Sequence, residues 1–530
     1  MPPSPGNIPG GGRALPSASP CRRPSIRRPS MSRRRRASGC RGITTGAAGG
    51  FPATGAGAER AAAMTLAYAQ AKSLTPAQAK SLTPSQAKSL TPAQAMIRFG
   101  LGGRPDQAPP ADPRGWLLGQ LDGPDPALAT PSFAGLPSGA AALAALRDDR
   151  MTRKRLARQG LSLKDHFKPR VPEMFRADAA AQLGWALRTD APFRERLVWF
   201  WANHFTVSMR QGGTAALIGP FLREAIRPHV TGRFTDMVLA VERHPAMLLY
   251  LGNAGSVGPD SRAGVRRHRG LNENLGRECM ELHTVSLRAG YSQQDVIAMA
   301  KLLTGWSVDP RAEPTGFRFH PFAHEPGPQT LMGRSFPPGE AGGIAALRFL
   351  STYHTTWTAL ATKLVRHFVA DQPPPEAVAH VAGVLAGTQG DLRAASAALV
   401  DLPQAWIPGR KIKTPVEYFV SVGRALGETE AKVPAALGML RRLGQPLWAA
   451  PLPNGWSDLG GDWSGPDAVL ARIDFAYTMA GHSHDRAPAA IATAALGAQL
   501  RPDTLAAVST AGSPREALAL LFASPEFLRR

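Results

Sequence analysis

Helix start signals recur along this chain, and they leave little room for any fold that is not mainly helical. Asp112-Pro113, Ala191-Pro192, Ser292 with Asp295, Thr414-Pro-Val-Glu417 and Ser513-Pro-Arg-Glu516 each precede an amphipathic run. A Ser, Thr or Asp oxygen satisfies an amide that a helix N-terminus leaves unpaired, and a first-turn proline gives up an N–H that had no partner there. The signals predict helices over 112–121, 140–159, 193–207 and 293–304, one from Thr414 that Gly427 ends, and one after Ser513. Alternating β patterns are scarce, with Thr315-Gly-Phe-Arg-Phe-His320 the best strand candidate. The expected fold is mainly α, a large multi-helix domain with little β. Pro- and Gly-rich loops should fill 252–270, 307–343 and 451–466, the middle one long enough to be functional.

The N-terminal region departs from this pattern. Residues 1–63 are Pro, Gly, Ser, Ala and Arg with almost no large apolar side chains, a composition expected to stay disordered. Arg33-Arg-Arg-Arg36 ahead of Cys40 to Gly50 has the charge order of a twin-arginine export signal, but its apolar region is mostly Gly and Thr. An upstream mis-assigned start, with Met64 or Met96 as the true one, accounts for the leader equally well, so cytoplasm and periplasm both stay open. Residues 64–95 carry an octapeptide repeat over 71–94, each copy holding Thr-Pro-x-Gln. Eight residues are too few for a solenoid unit, and only the last copy launches an element, Ala95 to Phe99. The main domain is expected over 96–530.

Charge and cysteine content narrow the function classes. The formal charge of +23 falls to +13 over 467 residues once the +10 of residues 1–63 is set aside. The remainder is spread among amphipathic faces except at Arg150-Met-Thr-Arg-Lys-Arg155 and Arg262 to Arg269, which read as solvated basic faces or as contacts for an anionic ligand or surface. No nucleic-acid-binding motif accompanies them, so that class ranks last. No apolar run reaches the length of a membrane span. Cys279 stands alone in the domain, which excludes an internal bridge and a CxxC metal knuckle; a buried helical cysteine is inert packing unless something activates it.

The densest chemistry lies in Leu271-Asn-Glu-Asn-Leu-Gly-Arg-Glu-Cys-Met-Glu-Leu-His-Thr284. On an α-helix Asn274, Glu278 and Glu281 share one side, while His283 points about 160° from Glu281. Two adjacent carboxylates raise each other's pKa unless a cation or proton sits between them. Glu278 and Glu281 at i, i+3 could share a divalent metal, as such pairs do in helical bundles. His204, His320 and His324 are the candidate nitrogen ligands from elsewhere. Asn272, Asn274, Arg277 and His283 would orient the site from behind. The bland reading is a buried structural network in which Arg277 and other arginines neutralise the carboxylates. His204, after Trp199-Phe-Trp-Ala-Asn203, reads equally as a core histidine, and His320 and His324 as surface residues.

These motifs carry a resemblance. Trp201-Ala-Asn-His-Phe-Thr-Val207, His244-Pro-Ala-Met247, the segment 272–284, Gly290 to Val296, Leu303-Thr-Gly-Trp306, Phe317-Arg-Phe-His320 with His324, Lys413-Thr-Pro-Val-Glu417 and Ser524 to Arg530 occur in this order. Together they resemble the bacterial family catalogued as domain of unknown function 1800, over roughly 98–530. Cys279 and Val285-Ser-Leu-Arg288 depart from its usual pattern. The resemblance implies a family and no reaction.

The expected function is therefore an enzyme, a hydrolase, acting on a small molecule or polymer. Glu278, Glu281 and His204 would be its catalytic groups, with a divalent metal as the candidate cofactor. The alternative is a non-catalytic folding or assembly partner whose polar helix 272–283 is structural.

Overall fold

The computed structural model describes residues 90–211, 213–267, 270–312, 315–482 and 487–530. The expectations for residues 1–63 and for most of the octapeptide repeat lie outside these residues.

The chain is mainly helical, as its start signals require. Helices that position the site are α1 (Gly139–Arg158), α2 (Val171–Arg188), α3 (Pro192–His204), α4 (Phe234–Arg243), α5 (Asn274–Glu278), α6 (Gln293–Leu302), α7 (His354–Phe368), α8 (Pro415–Leu426) and α9 (Pro514–Ala523). The local chemistry of their starts is as read. Ser292 and Asp295 form a reciprocal capping box before α6, and Thr414 and Glu417 form another before α8. Ser513 accepts from the Glu516 amide at the start of α9. Gly427, at φ 77°, closes α8 in the left-handed conformation that glycine adopts without strain. No described helix is long and apolar enough to cross a membrane.

Three expectations need correction. The segment 252–270 is not all loop, since Arg262–Arg267 is helical. The segment 307–343 is not a structureless loop: Trp306–Asp309 (β1) pairs antiparallel with Gly316–Phe319 (β2), Trp306 opposite Phe319, and Gln329–Leu331 (β3) pairs with Arg334–Phe336 (β4). Met332 and Gly333 both have positive φ, 49° and 77°, the turn geometry that suits the twist of a two-residue hairpin. A methionine in that position gives no sequence warning. The polar helix is also not uniform, since α5 passes at Cys279 into a π-helical turn, Cys279–His283. The Thr284 hydroxyl donates to the Cys279 carbonyl (2.6 Å) at its end, and the lone cysteine is fully buried.

Two cores organise the fold. The larger holds Phe99, Phe193, Trp201, Phe205, Phe234, Trp306 and Phe368, and the second is built on α8, α9 and the buried Tyr418 and Phe522. Trp199 on α3 packs against both. A seam where two apolar cores meet is where a cavity with polar lining can form.

Candidate functional site

The polar segment 272–283 folds into a tied and partly opened arrangement. Asn272 is structural: its amide donates to the Leu251 carbonyl (3.2 Å), its backbone N–H to Ser256 Oγ (3.1 Å), and its Oδ1 accepts from the Asn274 amide (3.0 Å). Arg277 pairs with Glu273 (2.8 Å) and donates to Gln293 (3.1 Å), so it acts on Glu278 only through space. Those two carboxylates stay half-buried. Burial, and then Glu281, push the Glu278 carboxyl above its ordinary range, with His283 and Arg277 pulling the other way. His283 turns inward, its Nδ1 2.7 Å from Oε1 of the fully buried Glu242 on α4.

The histidines proposed as metal ligands are committed elsewhere. His204 Nε2 lies 3.2 Å from the His283 carbonyl, and its Nδ1 3.2 Å from Lys363 Nζ, which also donates to the Leu282 carbonyl at 2.8 Å. The geometry assigns Nε2–H and an accepting Nδ1, a neutral ring. Burial, with Lys363 and His283 beside it, holds the His204 pKa well below the usual imidazole range. His324 lies under the β1 segment, with Nδ1 2.9 Å from the Thr304 carbonyl and Nε2 accepting from the Gly339 amide (2.7 Å). His320 packs on Phe322 at the surface. Among the described residues no group of three or more His, Cys, Asp or Glu side chains is placed to hold a metal ion. His204 and His324 are thus each hydrogen-bonded within their own neighbourhood, while His320 rests against the Phe322 ring.

The polar groups that do converge surround a cavity of about 130 Å³ at the seam between the cores. Its walls include Leu183 and Gln182 of α2, Trp199 and Asn203 of α3, His367 of α7, Val416 and Glu417 of α8, and Trp448, Trp456 and Asp458 from the loop after a further helix, Val433–Arg442. His367 Nδ1 lies 2.7 Å from Asp458 Oδ1, while its buried Nε2 has no hydrogen-bond partner. The carboxylate fixes the tautomer with the proton on Nδ1 and leaves the Nε2 lone pair free. Burial lowers the His367 pKa, and Asp458 opposes that shift without overcoming it. The Asp458 carboxyl is itself held low, since His367, Lys411 and Arg530 together outweigh its burial.

Behind the dyad lies a dense buried ion network. Glu417 accepts from Arg196 through one oxygen and from Arg530 Nε (3.1 Å) through the other, and Arg530 also donates to the His367 carbonyl at 2.8 Å. Arg196 and Arg530 together keep Glu417 ionised against strong desolvation. Lys411 donates to Asp371 and to the Asp458 backbone carbonyl. A second network, Arg227 with Asp125 (3.0 Å) and Glu195 (2.9 Å), orients the wall, because Glu195 Oε1 also accepts from Trp199 Nε1 at 2.9 Å. The buried carboxylate–arginine scaffold considered for Glu278 thus exists, but at Glu417 and Glu195.

The loop bearing Asp458 is clamped. Asn203 Nδ2 donates to the Trp456 carbonyl (2.9 Å) and its Oδ1 accepts from the Trp456 amide (2.7 Å). Gly455 has φ 78°, and a Cβ there would lie 2.6 Å from the Asn203 carbonyl oxygen, so glycine is required. Trp448, a non-glycine residue at φ 52°, holds a strained backbone in the wall. Asn203, Lys413 and Glu417 lie in motifs visible in the sequence, though there His204 draws attention from Asn203, and Lys413 and Glu417 carry the family resemblance and, for Glu417, a helix cap. His367 and Asp458 escaped altogether. The available signal is the Pro- and Gly-rich stretch 451–466, which marks a loop without indicating its partner.

These features define a helical protein with a buried histidine–aspartate pair on a tryptophan-walled cavity. The chain belongs to the family described as protein of unknown function DUF1800, whose pattern matches residues 94–529. No curated protein and no solved structure matches it.

Proposed function

We propose that the cavity is an active site and that the protein is a hydrolase using His367 as general base. The observation that carries this reading is the unpartnered, buried Nε2 of His367, whose Nδ1 is held by Asp458. A neutral imidazole in a fixed tautomer can take a proton from a water that reaches the buried Nε2, and the carboxylate stabilises the imidazolium that forms. Ser457 is not the nucleophile, because its hydroxyl donates to Asp462. Water fills that role: His367 Nε2 removes its proton as the oxygen attacks an acyl carbon, and the same proton then passes to the leaving ester oxygen or amide nitrogen. Trp199, Trp448 and Trp456 favour a substrate with a planar or apolar acyl group, small enough for the cavity, with its remainder outside.

The test is a panel of chromogenic acyl esters and anilides with small apolar and aromatic acyl groups. Hydrolysis by the intact protein should fall by roughly 10²- to 10⁴-fold in His367→Asn and in Asp458→Asn, with both variants still folded. No hydrolysis across the panel, or equal hydrolysis by His367→Asn, would overturn the proposal.

A further inference from the structure

The distal end of α1 presents a surface that the cavity does not use. Over residues 150–168 it carries Arg150, Arg153, Lys154, Arg155, Arg158, Lys164 and Lys168 against the single acid Asp165, and all of these side chains are exposed. The nearby Asp148 and Asp149 do not neutralise it, since they are paired with Arg147 and Arg170. Among these cations stand Met151, Leu161 and Leu163, 62%, 42% and 45% exposed. The tip is a built turn. Gly160 has φ 65°, the Leu161 amide donates to the Leu156 carbonyl (3.0 Å), and Leu156 is buried as the anchor. The returning segment, which includes the helical turn Leu163–His166, is held by the Arg153 guanidinium, 5.2 Å from the Phe167 ring centroid. The two leucines are thus presented outward by a defined backbone.

We infer that this hairpin is a docking surface for an anionic lipid bilayer. Seven cations and one anion complement acidic headgroups, and exposed Met and Leu side chains reach the headgroup–acyl boundary where apolar burial adds to electrostatic attraction. A nucleic acid would satisfy the cations but leave the three apolar side chains in water. A convex tip suits a bilayer better than a groove-bound polyanion. The surface is independent of the cavity and of the hydrolase reading.

The experiment is co-sedimentation of the full chain with phosphatidylcholine vesicles, alone or with about one-third phosphatidylglycerol, at about 0.1 M salt. Binding is expected only with the anionic vesicles. Each cation near a charged membrane contributes roughly fivefold, so Arg150→Glu, Lys154→Glu and Arg158→Glu together should weaken binding at least tenfold even with the basic leader constant. Leu161→Ser with Leu163→Ser should weaken it severalfold, and more at high salt, where the apolar contribution remains. Vesicle binding that both variants retain in full would overturn the inference. So would no binding at all, or tighter binding to duplex DNA that the leucine variant does not alter.

Discussion

The side-chain amide of Asn203 meets the backbone of Trp456 at both ends, donating to its carbonyl at 2.9 Å and accepting from its amide at 2.7 Å across 253 residues. This two-point clamp joins the end of α3 to the loop that supplies Asp458. Asn203→Leu leaves both backbone groups of Trp456 without partners at a cost of roughly 1–3 kcal/mol for each group that stays buried. The expected result is a lowered melting temperature and preferential proteolytic cleavage within 451–463, read by mass spectrometry. Gly455→Ala should produce the same cleavage pattern for a steric reason.

Glu417 and Lys413 lie in one motif, yet their substitutions should act in opposite directions. Glu417→Gln strands Arg196 and Arg530 in the interior and should destabilise by about 3–5 kcal/mol. Lys413 is buried, its ammonium 4.3 Å from the Phe527 ring centroid, and burial, with Arg196 next in effect, pulls its pKa down to about 7. Its charged form opposes folding, so stability should rise as pH climbs from about 7 towards the ordinary lysine value. Lys413→Met should remove that rise and lie between neutral and about 4 kcal/mol stabilising at pH 6. Chemical denaturation across pH checks both.

Stability should fall on mild acidification. His204 and His367 have folded pKa values depressed chiefly by burial, so the unfolded chain binds protons first as pH drops below about 6.5. Each contributes a loss of up to about 1.4 kcal/mol per pH unit until its folded pKa is reached. Denaturation midpoints between pH 7 and 5 should show this slope, and His204→Gln should reduce it. In Asp458→Asn the His367 pKa should drop further, followed by NMR of its ring nitrogens, because Asp458 is the group that favours the imidazolium.

Glu278→Gln distinguishes a poised carboxylate from a structural one. The folded-state pKa of Glu278 is raised, so ionisation opposes folding once pH exceeds about 4.5, and the amide removes that cost. Stability at pH 7 should be equal or higher. A loss of several kcal/mol would mean that Glu278 holds the segment together.

What the sequence made legible is local. Ser292 with Asp295 and Thr414 with Glu417 are three residues apart, and their boxes form as read because the backbone alone brings them together. The π-helical turn at Cys279–His283 left no trace in composition, and it reshaped the segment on which the candidate metal site rested. His367 and Asp458 are separated by 91 residues, and no spacing rule connects a histidine near the end of an amphipathic helix to an aspartate in a Pro-rich loop. His204 lay in a motif visible in the sequence, but its ring is satisfied by a carbonyl and a lysine that only tertiary packing supplies.

The separation of Asn203 from Trp456 also has a meaning in time. At cellular synthesis rates of about 5–20 residues per second, Asn203 is made roughly 13–50 s before the residue that completes its clamp. Until then Trp199, Leu183 and Val207, which line the cavity together with Trp456, lack that part of their wall. Production of this protein in a cell should therefore depend on whatever shields nascent hydrophobic surface, and should suffer most from truncations that end before residue 456.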